Sequence, residues 1–145
     1  GFVFQAFNLI PVLTAKENVE FIMLLQKRPK TEREQRVREL LTAVGLGDKM
    51  DVRPSRLSGG QQQRVAVARA LASKPQFILA DEPTANLDSH SASTLLDIME
   101  RLNREENMTF LFSTHDQRVI ERARRVVTLV DGRIAEDTAP VEVRH

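Results

Sequence analysis

The sequence predicts an α/β fold, a partial parallel sheet flanked by helices, with an all-helical subdomain inserted between two of its strands. Phe77 to Ala80 and Thr109 to Ser113 are short, mostly apolar runs without alternation, the pattern of strands buried on both faces of a parallel sheet. Gly1 to Phe4 is a third such run at the start of the chain. Between the Gly1 and Phe77 strands, Thr14 to Lys74 offers apolar residues at helical spacing and no convincing strand.

In chain order, Ala6 to Val12 is mostly apolar with Pro11 as a breaker. Thr14 and Glu17, and again Thr31 and Glu34, have the spacing of a capping box, so each pair is expected to open a helix. Val19, Ile22 and Met23 supply the apolar face of the first helix; Val37, Leu40, Leu41 and Val44 supply that of the second, which Gly45 stops. Phe21 to Leu25 is more apolar than one buried face requires; core packing is the expected cause and partner contact the alternative. The mixed charges from Lys27 to Arg38 read as a solvated face.

Ser58 and Gln61 form a third box, followed by Val65, Val67, Ala68, Leu71 and Ala72, so a helix begins near Gly60 and closes at Lys74-Pro75. Its N-terminus is fronted by Gly59 and Gly60. Such an end offers free backbone N–H groups and the positive pole of the helix dipole, with no side chain to keep an anion away, and so suits phosphate.

Asp81 and Glu82 follow the Phe77 strand at its carboxyl end, the edge at which open α/β sheets bind ligands. Adjacent acids there divide labour, one holding Mg²⁺ through water and the other taking a proton from an attacking water. The structural alternative is a pair that caps the turn before Pro83. Asp88 or Ser89 is expected to cap a helix with Ala92, Leu95, Met99 and Leu102 as its apolar stripe. The Thr109 strand then brings His115 to the same edge, whereas His90 and His145 read as structural or exposed. Val126 to Val130 and Arg133 to Glu136 flank Asp131-Gly132, a two-residue hairpin signal, and the tail 138–145 carries no motif.

With 145 residues, 41% of them hydrophobic, and a net charge of +1, the chain is one globular unit without the basic excess of a nucleic-acid binder. No cysteine is present, which excludes a disulfide framework and fits a reducing compartment. No apolar run approaches the length of a membrane span, so any membrane partner is a separate chain.

These residues resemble a known family, the ATP-binding cassette (ABC) ATPases. Leu57-Ser58-Gly59-Gly60-Gln61 resembles its signature motif, Phe77 to Pro83 its Walker B strand with the catalytic glutamate, and Ala85-Asn86-Leu87-Asp88 its D-loop. Phe2-Val3-Phe4-Gln5 resembles the Q-loop, and Ser113-Thr114-His115-Asp116 the switch-histidine segment. Five motifs in the family's order are specific where one alone is weak.

The resemblance implies ATP and Mg²⁺ as cofactors, with Glu82 and His115 catalytic and with Asp81 and Gln5 at the metal. It further implies a head-to-tail homodimer in which Ser58, Gly59, Gly60 and Gln61 close on the nucleotide of the other copy and Asp88 couples the two sites across the seam. A membrane-spanning transporter subunit is the second partner, nucleic acid is not one, and the location is cytoplasmic, peripheral on the inner face of the cell membrane. One truncated nucleotide-binding domain is expected over 1–145, with 14–74 as the helical subdomain and 1–7 with 75–137 as the remaining core.

No G-x-x-x-x-G-K-[ST] phosphate loop occurs in the chain. The chain therefore reads as the C-terminal part of a cassette whose phosphate cradle lies outside it. As an isolated piece it is expected not to hydrolyse ATP and to act as a non-enzymatic fragment or interaction module, with part of its sheet unpaired, apolar surface uncovered and non-native oligomers or a swapped strand as the outcome. Asn8 to Pro11, Leu13 to Val19 and Ala80 to Asp88 resemble the lipoprotein-releasing and macrolide-export subgroup, to which cell-division cassettes are close. A DNA-repair or chromosome-maintenance ATPase is disfavoured: about fifty residues without heptads separate Gln5 from Leu57, where that class has a long coiled coil.

Overall fold

The computed structural model describes residues 2–4 and 7–138. Local chemistry sets most element ends. Helix α1 (Ala15–Leu25) starts at Thr14, whose hydroxyl accepts the Glu17 N–H while the Glu17 carboxylate accepts the Thr14 N–H, the reciprocal box expected. Helix α2 (Lys30–Ala43) departs from expectation. It begins one residue ahead of Thr31, on Pro29, whose carbonyl accepts the Arg33 N–H. Proline holds the extended entry by itself, so the Thr31 and Glu34 pair lies inside the helix and no side-chain cap forms.

Gly45, at φ 77°, ends α2 in a Schellman motif: the Leu46 N–H reaches the Leu41 carbonyl and the Gly45 N–H reaches that of Thr42. Helix α3 (Gly59–Ala72) ends differently. Lys74, at φ 53°, donates to Leu71, and Pro75 has no N–H to make the second bond.

Strands β1 (Phe2–Val3), β2 (Phe77–Asp81) and β3 (Thr109–Ser113) form one parallel sheet in that order. Helices α1 to α3 make the crossover from β1 to β2, and α4 (Ser89–Glu105) makes the crossover from β2 to β3. All three strands therefore run the same way, and the ends of β2 and β3 are level, with Asp81 opposite Ser113. Helix α3 is the hub: it packs on α1, α2, α4 and β1. Val19, Met23, Leu40, Leu41, Val65, Leu71, Ile78, Leu95 and Met99 join one continuous core.

Neither β2 nor β3 is buried on both faces. Val3, Ile78 and Ala80 point into the core, but Phe2, Phe77 and Leu111 are 55%, 52% and 58% exposed on the opposite face. The runs are unalternated in sequence, yet among the described residues only one face of the sheet is covered, so burial alternates along each strand. The Phe21 to Leu25 run corrects likewise: Met23 is buried, while Phe21, Leu24 and Leu25 lie outward, because an eleven-residue helix packed on α2 and α3 hides one stripe.

A short helix α5 (Gln117–Arg122), absent from the sequence-based expectation, follows β3. Strands β4 (Val126–Val130) and β5 (Arg133–Thr138) pair antiparallel about Asp131 and Gly132, both at positive φ, as a two-residue primed turn requires. Among the described residues no helix is long and apolar enough to cross a membrane.

Candidate functional site at the carboxyl edge of the sheet

Parallel strands deliver the residues that follow them to one edge. Phe4 leaves β1, Asp81 ends β2 with Glu82 next, and Thr114 and His115 leave β3. Glu82 adopts φ 46°, a left-handed conformation that costs a non-glycine residue about 1 kcal/mol or more and needs support. The support is visible: its N–H donates to the Ser113 carbonyl at 2.8 Å, so the turn is pinned to the end of β3.

Both oxygens of the Glu82 carboxylate are engaged. His115 Nδ1 lies 2.7 Å from Oε1, and the Thr114 hydroxyl donates to Oε2 at 3.2 Å. Glu82 is 20% exposed and His115 94%, so the acid is sheltered under a histidine that has solvent on its other sides. The structure thus brings together Glu82 and His115, two residues separately predicted from sequence. Asp81 is exposed at the end of β2. Gln5, as well as the terminal His145, lies outside the described residues.

Thr84 and Asp116 were not expected to matter and tie the edge together. The Thr84 hydroxyl, fully buried, donates to Asp116 Oδ2 at 2.6 Å, joining the turn after Glu82 to the segment after His115. Asp116 also caps α5 and accepts from the Arg118 guanidinium at 2.7 Å. The Arg118 hydrogen bonds, with Thr84 assisting, hold the Asp116 carboxyl far below the usual carboxylate range against the opposing effect of burial. A buried hydroxyl in a turn leaves no periodic trace in a sequence, and α5, at six residues, is too short for one.

The second feature is the N-terminus of α3. Ser58 Oγ accepts the Gln61 N–H at 3.1 Å and Gln61 Oε1 accepts the Ser58 N–H at 3.0 Å, the box read from the sequence. The two glycines differ in role. A Cβ on Gly59 would make ordinary contacts, with Phe7 at 3.6 Å; one on Gly60 would lie 2.9 Å from Ser91 Cβ and Oγ. Gly60 is buried beneath α4, so its missing side chain admits a neighbouring helix rather than leaving open space. Asp88 caps α4, accepting the Ser91 N–H at 2.7 Å, and that bond keeps its carboxyl below the ordinary range. The starts of α3 and α4 thus meet, and Gly60, Arg64, His90, Ser91 and Thr94 line a shallow cleft between them.

As for a metal, no cluster of three or more His, Asp or Glu is present among the described residues. Asp81 offers one exposed carboxylate. That donor set fits Mg²⁺, which keeps several waters and takes one or two carboxylates with substrate phosphates, and does not fit an all-protein cage.

A family model described as ABC transporter matches residues 1–85, more than half of the chain. The chain belongs to the ABC transporter family. An ABC transporter ATP-binding protein of Methanocaldococcus jannaschii is 51% identical over 136 residues, covering 94% of this chain and 60% of that relative. The lipoprotein-releasing system ATP-binding protein of Caulobacter vibrioides is 49% identical over 142 residues, with 94% and 59% covered. A macrolide export ATP-binding/permease protein of Aggregatibacter actinomycetemcomitans is 44% identical over 144 residues, 99% of this chain but 22% of the relative. A solved dimeric ATP-binding cassette in a post-hydrolysis state, bound to ADP and Pi, superposes with TM-score 0.81 at 43% identity, covering 96% of this ABC chain and 62% of that one. This ABC chain therefore spans about 60% of the length of the separate ATP-binding relatives.

Proposed function

We propose that the whole protein carrying this chain is the ATP-hydrolysing subunit of an ABC transporter, working through a membrane-spanning partner at the cytoplasmic face. The observation that carries this reading is the Glu82 carboxylate, sheltered and oriented by His115 and Thr114 beside an exposed Asp81. In the reaction, a water oxygen bonds to the γ-phosphorus as its bond to the β–γ bridging oxygen breaks. Glu82 takes the water's proton, and ADP and phosphate leave. Asp81, with Gln5, would hold Mg²⁺, which when bound neutralises phosphate charge. His115 exchanges its Glu82 contact for a phosphate oxygen and keeps acid and water in line.

Ser58, Gly59, Gly60 and Gln61 serve the nucleotide of a second, head-to-tail copy; what supports this is that the capped start of α3 presents the positive end of a helix dipole, which suits phosphate. Asp88, at the start of α4 against that turn, faces the seam. Relatives named for lipoprotein release and macrolide export favour mechanotransmission through the membrane subunit as the use of the energy. Replacing Glu82→Gln in the whole protein removes the base and keeps its shape. Turnover should fall by about 10²- to 10⁴-fold with Mg-ATP binding retained, whereas unchanged turnover would take Glu82 out of the mechanism.

A further inference from the structure

Among the described residues, Gln63 of α3 hydrogen-bonds on both flanks of the candidate site. It is fully buried, on the same helical face as Ala66, Val67 and Ala70. Its Nε2 donates to the Phe4 carbonyl at 3.0 Å and to the Pro83 carbonyl at 2.7 Å. Phe4 immediately precedes Gln5, and Pro83 immediately follows Glu82. Six residues further along α3, Arg69 donates to the carbonyls of Asn8 at 2.7 Å and Phe7 at 3.1 Å. α3 thus holds Phe4 and the Phe7–Asn8 segment, and among the described residues Gln63 joins that grip to the Glu82 turn.

Gln63 Oε1 is buried with no hydrogen-bond partner among the described residues. Among the described residues that oxygen is left without a donor, a cost that offsets part of what the two donated bonds contribute to stability. The reversed amide is no remedy, since it would aim Oε1 at two carbonyl oxygens. What the amide achieves is geometric: one rigid planar NH₂ fixes two loops relative to each other and to the helix whose first turn carries Ser58 and Gln61.

We propose that Gln63 is a positioning residue for ATP hydrolysis, the joint that sets the end of β1 at Phe4 and the Glu82 turn against the N-terminus of α3. Engagement of that N-terminus by a phosphate then bears on Glu82 through this side chain. The inference rests on the hydrolytic role proposed above for Glu82.

The test is Gln63→Met in the whole protein, read by kcat and KM for Mg-ATP, by thermal unfolding, and by hydrogen exchange over residues 82–87. The variant loses two donated bonds and one orphaned acceptor, so its unfolding temperature should stay close to wild type. Exchange at the Glu82, Ala85 and Leu87 amides should quicken, and kcat should fall about tenfold or more with KM within about twofold, as misplacement of a reacting group predicts. Gln63→Asn, which keeps the amide one methylene short, should lie between the two and serves if the methionine variant does not fold. Unchanged exchange and kcat would overturn the proposal, as would a loss carried wholly by KM or one that tracks unfolding. Wild-type protein without ATP turnover would instead overturn the reading of Glu82 on which it rests.

Discussion

Glu82 is tolerated in a left-handed conformation because three neighbours over-determine it: Ser113 takes its N–H, and Thr114 and His115 take its carboxylate. Asp116 holds the same strut from below through Thr84. Because its carboxyl titrates lower in the folded chain than the ordinary value of about 3.9, the stability it contributes is fully present above that value and is lost as pH falls below it. Asp116→Asn removes the charged acceptor of Arg118 and Thr84. Urea midpoints should therefore differ most between wild type and variant near about pH 6, and the gap should begin to narrow only below about pH 4, with much of it persisting at about pH 3 because the folded carboxyl titrates lower still. A constant difference across that range would show that Asp116 is not charged and paired in the folded state. At this scale the sequence was a partial guide. The acids after a strand and the histidine after the next are legible because strand ends in a parallel sheet share an edge. Gln63 is visible only as a polar residue out of place on an apolar helical stripe, and Thr84 and Asp116 act through contacts across thirty-two residues of chain that no spacing encodes.

Among the elements, α3 carries the most structural duties, and its start is fitted tightly to α4. Gly60→Ala would place a methyl group 2.9 Å from Ser91, whose side chain is too short to swing aside. The helices must separate or α3 must shift, at a cost of roughly 1–3 kcal/mol in unfolding free energy. Adding Ser91→Gly should recover part of that loss; a silent single variant would mean the helix ends are not in contact. Elements whose termini obey local chemistry were readable to within a residue or two: Thr14, Ser58 and Asp88 cap as their types demand, and Asp131-Gly132 turns the hairpin. Readings failed where tertiary context decides. Pro29 displaced the Thr31 box, and the uncovered face of the sheet made half-exposed strands of apolar runs. Asn18 shows the same limit from the other side: buried on α1, it bonds Ile10, Leu13 and Thr14 and fixes the loop ahead of the helix, a role its sequence position does not announce.

Over the whole molecule, two candidate sites matter: the carboxyl edge with Glu82 and the capped start of α3, joined through Gln63. Under the proposed function, the first serves a copy's own nucleotide and the second that of its partner. Gly59→Asp puts a negative charge at the helix N-terminus, where its Cβ makes only ordinary contacts and the charge repels phosphate; Glu82→Gln removes the base. Each variant of the whole protein should be nearly inactive alone. The decisive measurement is ATP turnover after mixing the two and allowing dimers to exchange. A mixed dimer retains one site with an intact Glu82 facing an intact Gly59, so activity should reappear on mixing. A mixture as inactive as its components would contradict the division of the site between two copies.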